Sequence, residues 1–290
     1  MGWMYGNGPL SPKPAGTFNF EAPEPGMALY LEPTPKRIRV EVGGETIADS
    51  RRAFLLHEGG HQPTYYLPPE DVRPEFLEPH DKHTHCPKKG DASYYTIRVG
   101  ETVVEGGAWY YPKPIDGAPP IENLIAFYWG RMDRWLEEDE EAVVHPRDPY
   151  HRIDVLRTER HIRISLDGEL LAETRGAMAL FESNLPTRWY IPREHASAEL
   201  EPSGTITHCP YKGEAQYHSV TLGSGELAAD VVWYYDDPLP EVGKIAGLVC
   251  FFNERVDIEL DGELQERPDT PWSRKVKSEA GKAAPAQSRA

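Results

Sequence analysis

Three cysteines in 290 residues (Cys86, Cys209, Cys250) are too few and too odd in number for a disulfide framework, which fits a reducing compartment. No C-x-x-C pair occurs, so the usual half of a structural zinc site is missing. No apolar run approaches the roughly 18–20 residues that a membrane helix needs. Basic clusters are short, "KRIR" and "PKK", in a chain of net charge -16, and such a surface repels phosphate backbones. The opening "MGWMYGNGPLSPKPAG" has no basic stretch followed by an apolar one, so no secretory signal is expected. The expectation is a cytoplasmic chain with neither nucleic acid nor membrane as partner.

Two copies of one pattern occupy most of the chain. "RIRVEVGGETIADSRRAFLLHEGGHQPTYYLPPEDV" from Arg37 returns as "HIRISLDGELLAETRGAMALFESNLPTRWYIPREHA" from His161. Ile38 and Ile162, Gly44 and Gly168, Tyr66 and Tyr190 all keep an offset of 124 residues. The offset slips to 123 at Cys86 and Cys209 and is 124 again at Trp109 and Trp233, and compensating slips of this kind belong in loops. The expected organisation is an extension over residues 1–30, a first repeat domain over 31–138, a linker over 139–158, a second repeat domain over 159–265 and a disordered tail over 266–290. The two repeats are expected to pack on each other.

Within each copy the period is two. "RIRVEVGGETIADS" and "HIRISLDGELLAET" alternate around Gly43-Gly44 and Asp167-Gly168, dipeptides suited to tight hairpin turns. "PTYYLP" and "TRWYIP" read as short aromatic strands, and "ASYYTIRVGETVVEGGAWYYP" and "AQYHSVTLGSGELAADVVWYY" each as two strands about a glycine turn. Helical periodicity is confined to a turn or two in "EDVRPEF" and "REHASAEL". The fold class expected is mainly β, antiparallel, with little helix.

The ordered motifs "TYYLPPEDV…THCPKKGDASYYTIRVG…GAWYYPKP…IAFYW" resemble the domain-of-unknown-function 427 family, also labelled nucleotidyltransferase-like, and the second copy resembles it again through "RWYIPREHA…THCPYKGEAQYHSVTLG…VVWYYDDP…CFF". The resemblance implies two tandem β-tent domains of antiparallel sheets, similar to methionine sulfoxide reductase B and to the thalidomide-binding domain of cereblon. The sequence carries no P-loop and no carboxylate pair spaced to hold Mg²⁺ for phosphoryl transfer.

"HTHCPKKG" (His83–Gly90) looks like a metal cluster until it is set against "THCPYKG" (Thr207–Gly213). Ile206 stands where His83 does, so both copies offer only a histidine and a cysteine, too few for zinc; no metal and no cofactor is expected. What both share is Thr-His-Cys-Pro-x-Lys-Gly. One reading makes it a strand-ending turn with a buried cysteine, the proline setting φ and Gly90 or Gly213 supplying a positive φ. A second makes Cys86 a reactive thiol beside His85, Lys88 and Lys89, and Cys209 one beside His208 and Lys212. A third has the turn line a ligand pocket. Cys250 lies in an apolar run and reads as core.

The triplets Trp109-Tyr110-Tyr111 and Trp233-Tyr234-Tyr235 place the tryptophan and second tyrosine on one strand face, either as core or as a wall stacking on a flat or cationic ligand. Tyr94-Tyr95 and Tyr217-His218 are further wall candidates, Tyr95 being the one placed in the site. Arg51 and Arg175 align, as do Glu58 and Glu182; they read either as solvated strand-end charges or as a pocket arginine with a carboxylate partner. The function expected is binding of an unidentified small molecule, in each repeat, by Arg51, His85, Lys88, Tyr95, Trp109 and Tyr111 and by Arg175, His208, Lys212, Trp233 and Tyr235. The alternative is an enzyme acting through the thiol of Cys86 or Cys209.

Overall fold

A computed structural model describes residues 2–270, 272 and 273. The chain divides into two compact units between Tyr150 and His151. Of the expected disordered tail, the part beyond Ser273 lies outside the described residues.

In the first unit the strands are β1 (Leu29–Pro33), β2 (Ile38–Val42), β3 (Glu45–Ser50), β4 (Phe54–Glu58), β5 (Thr64–Tyr66), β6 (Leu77–Cys86), β7 (Gly90–Val99), β8 (Thr102–Pro114), β9 (Ala126–Phe127), β10 (Arg134–Glu137) and β11 (Glu140–Glu141). The second unit has β12 (Ile153–Arg157), β13 (Ile162–Leu166), β14 (Glu169–Thr174), β15 (Met178–Glu182), β16 (Arg188–Ile191), β17 (Glu201–Cys209), β18 (Gly213–Thr221), β19 (Leu227–Tyr234), β20 (Val249–Phe251), β21 (Asp257–Leu260) and β22 (Glu263–Leu264). The helical elements among residues 2–270 are 3₁₀ turns, including Pro69–Asp71, Pro74–Phe76 and Arg193–His195, where the short helical signals stood. The stretch 139–158, expected as linker, contributes β11 and β12.

Both units follow one plan. In the second, a seven-stranded sheet runs β12-β15-β16-β20-β19-β18-β17, and a four-stranded sheet runs β14-β13-β21-β22. The first has the same order in two pieces, β1-β4-β5 and β6-β7-β8-β9, joined where Leu67 and Ile125 exchange backbone hydrogen bonds of 2.8 Å. Its small sheet runs β11-β10-β2-β3. The hairpins β2–β3 and β13–β14 turn on Gly43-Gly44 (φ 60° and 80°) and Asp167-Gly168 (φ 51° and 82°). Positive φ at both central positions gives the turn whose twist matches antiparallel strands.

Each large sheet is apolar on both faces, because its strands carry bulky residues at odd and even positions alike. One face packs on the small sheet through Ile38, Val40, Tyr65, Ile97 and Phe127 in the first unit and Ile162, Ile164, Trp189, Val232 and Phe251 in the second. The opposite face carries Tyr66, Tyr94, Tyr111 and Ile121, or Tyr190, Trp233, Tyr235 and Ile245. The Thr-His-Cys-Pro-x-Lys-Gly turn belongs to that opposite face.

Candidate functional site

The turn closes hairpins β6–β7 and β17–β18. Cys86 pairs with Gly90 and Cys209 with Gly213, and the amides of Lys89 and Lys212 donate to the cysteine carbonyls at 3.2 and 3.3 Å. Gly90 and Gly213 have φ of 100° and 99°. A Cβ at Gly90 would meet Ile115 Cγ2 at 3.2 Å as well, so glycine is required there by conformation and by space.

The lysine three residues after each cysteine folds under the sheet to a glutamate, largely buried in the first unit and fully in the second. Lys89 pairs with Glu58, and Lys212 Nζ lies 2.6 Å from Glu182 Oε2. Lys88 also reaches Glu58, at 2.5 Å, and donates to the carbonyl of Gly26 at 3.1 Å. The counterpart of Lys212 is therefore Lys89, not Lys88. In the second unit His151, its side chain fully buried, stands 3.0 Å from Glu182. Burial pushes both carboxyls up, but the lysines outweigh it: Glu58 is held below the usual carboxylate range, and Glu182, with His151 adding to Lys212, is driven down to about 2. Burial lowers Lys212, and Glu182 more than restores it, leaving it above the ordinary lysine value. Both glutamates are thus partners of the turn lysines rather than of an arginine.

Beside this latch stands a repeated aromatic wall. Trp109 Nε1 donates to Tyr66 Oη at 3.2 Å and Trp233 Nε1 to Tyr190 Oη at 2.9 Å, each ring pair edge-to-face at 6.3 Å and 88°. Burial raises the phenols of Tyr66, Tyr111, Tyr190 and Tyr235 above their ordinary value, so all four stay protonated. Thr84 bonds Tyr94 and Thr207 bonds Tyr217, each at 2.8 Å. Cys86 packs against the wall, and Cys86 and Cys209 are both partly exposed. Cys250 is fully buried, and burial pushes its thiol up to about 12.

Several candidate residues lie elsewhere. His85 and His208, adjacent to the cysteines on a strand, project to the exposed face, 2.7 Å from Asp91 and 3.3 Å from Glu214. Tyr95 stacks on Tyr110 at 4.9 Å and belongs to the other core; Tyr94, directly opposite Trp109, is the wall residue. Arg51 and Arg175 are exposed, at the far ends of β4 and β15 from the glutamates. Trp109 with Tyr111, and Trp233 with Tyr235, do share a face. Among the described residues no three His, Cys, Asp or Glu side chains are placed to hold a metal ion, and no helix is long and apolar enough to cross a membrane.

The two walls differ in cover. Trp109 is half-buried, against Tyr128 at 4.6 Å, with exposed Lys82 lying 4.1 Å over Tyr94 and 5.5 Å from the Tyr128 ring. Trp233 is only 7% exposed. Arg188 lies 5.3 Å over it, held by Glu254 through two 2.7 Å hydrogen bonds, and Thr270 donates to the same carboxylate at 2.7 Å. Thr64 and Gly130 occupy the positions of Arg188 and Glu254 in the first copy.

A family model described as "Domain of unknown function (DUF427)" matches residues 30–138 and again 154–262. The chain belongs to that family and carries its domain twice in tandem. No curated protein matches it.

Proposed function

We propose that the protein binds a small, flat molecule on the aromatic wall of the first repeat. Trp109 and Tyr128 would form the stacking surface, and Lys82 would supply an ammonium to an acceptor or anionic group on the ligand. The observation that carries this reading is the partly exposed Trp109 indole: its counterpart Trp233 is capped by Arg188, which narrows the site to one repeat. The ion-paired turn lysines hold the hairpin in place behind the wall rather than face the ligand. The reading is tested by native mass spectrometry of the freshly purified protein. A small-molecule adduct should ride on the wild type and on Cys86→Ser but be lost from Trp109→Ala. An adduct that survives Trp109→Ala would overturn it.

The partial exposure of Cys86 and Cys209 favours a second reading, a thiol-using enzyme. That reading requires rapid labelling of one of these thiols by iodoacetamide near neutral pH. Slow labelling of both would leave the binding reading standing.

A further inference from the structure

The second unit holds a cleft of about 440 Å³, within the range of small-molecule sites. It lies away from the turn, on the face of the large sheet that packs on the small one. Its floor is Trp189 with Val256 and Ile258, and its lip is Leu156 and Phe181, which are 54% and 44% exposed. The first unit shows what fills the same space. Trp135 stands opposite Val40 as Ile258 stands opposite Ile164, and Asn253 occupies the place of Trp129. There the two indoles lie stacked, 4.5 Å apart at 5°. The counterparts of Leu156 and Phe181 are Glu32 and His57, which pair at 2.8 Å, and Trp3 and Tyr150 cover that face. So the first unit closes with its own aromatic rings a space that the second leaves open, walled by these apolar groups and by polar ones such as Arg157, Arg160, Gln265 and Glu266.

We infer that the second-unit cleft is a binding site for a flat, fused-ring aromatic molecule bearing an N–H donor. Shape comes from the vacated pair of indoles. The donor comes from Asn253, which lines the cleft: its Nδ2 donates to the carbonyl of Thr187 at 2.9 Å, while its Oδ1 is buried with no hydrogen-bond partner. A buried acceptor left unpaired is costly, and a ligand N–H would satisfy it once the Asn253 carboxamide turns its oxygen toward the cleft. Arg160 lies 5.9 Å over Trp189 and closes one side.

Indole is the probe. Isothermal titration of the full chain should give saturable binding with Kd below about 1 mM. 1-Methylindole, which lacks the donor, should bind on the order of tenfold more weakly. Asn253→Trp combined with Ile258→Trp, which transplants the pair of the first unit, should abolish the heat; Phe181→Glu at the lip, in case that double variant does not fold, should weaken binding at least tenfold. Absence of saturable heat in the wild type, unchanged affinity in a folded variant, or equal binding of the two indoles would overturn the proposal. So would a concentration-dependent dimer abolished by Leu156→Asp, since a second copy of the chain would then be the occupant.

Discussion

Glu182→Gln should cost the second unit about 3–5 kcal/mol at pH 7, the usual penalty for removing one partner of a buried ion pair. The glutamate side chain is 4% exposed and Lys212 12%, so the ammonium left behind has little water to turn to. His151 would lose this carboxylate as well. The same pair predicts acid lability with a definite window. The carboxyl is depressed from 4.5 to about 2 on folding. Its contribution is therefore full above the unfolded value, near 4.5, and is lost as pH falls toward the folded one. A depression of this size corresponds to about 3 kcal/mol. Hydrogen exchange at the amides of β15 and β18 between pH 7 and pH 2 checks both points. The variant should exchange faster at neutral pH and show a flatter acid limb; a variant with wild-type protection would refute the latch.

Arg188→Met should be equally damaging, again about 3–5 kcal/mol, because Glu254, whose side chain is fully buried, would keep its charge with Thr270 as its remaining side-chain partner. Changing Glu254→Met as well should recover most of the loss, since two apolar groups of similar volume can replace a buried pair at little net cost. A second double variant, Arg188→Thr with Glu254→Gly, sets the small first-copy residues over Trp233 and should uncover it, since Thr64 and Gly130 leave Trp109 partly exposed. Denaturant unfolding of both single variants and the pair gives the coupling energy directly, and additive losses would contradict the capped-wall arrangement.

Much of the fold could be read in the letters, because duplication supplied its own control. The 124-residue offset, the period-two runs and the Gly43-Gly44 and Asp167-Gly168 turns specify antiparallel hairpins twice over. The face shared by Trp109 and Tyr111 followed from strand parity alone. Parity across strands did not follow. Register shifts between Asp91 and Ser93 and between Tyr95 and Ile97 decide that Tyr94, not Tyr95, stands beside Trp109, and register is a tertiary property. The shared Thr-His-Cys-Pro-x-Lys-Gly pattern sets Lys89, not Lys88, against Lys212, three residues after each cysteine. Glu58 and Glu182 were visible as an aligned pair, but the nearer arginines in sequence suggested the wrong partner. Arg188 and Glu254, 66 residues apart and unmatched in the first copy, left no signal at all.

The first-repeat wall is tested most directly by hydroxyl-radical footprinting of the intact chain, with tryptophan oxidation read by mass spectrometry. Trp109 should oxidise several-fold faster than Trp233, and Arg188→Thr with Glu254→Gly, the residues of the first copy, should bring Trp233 toward the rate of Trp109. Protection of Trp109 equal to that of Trp233 in the wild type would contradict an open wall in the first repeat and, with it, the proposed binding site.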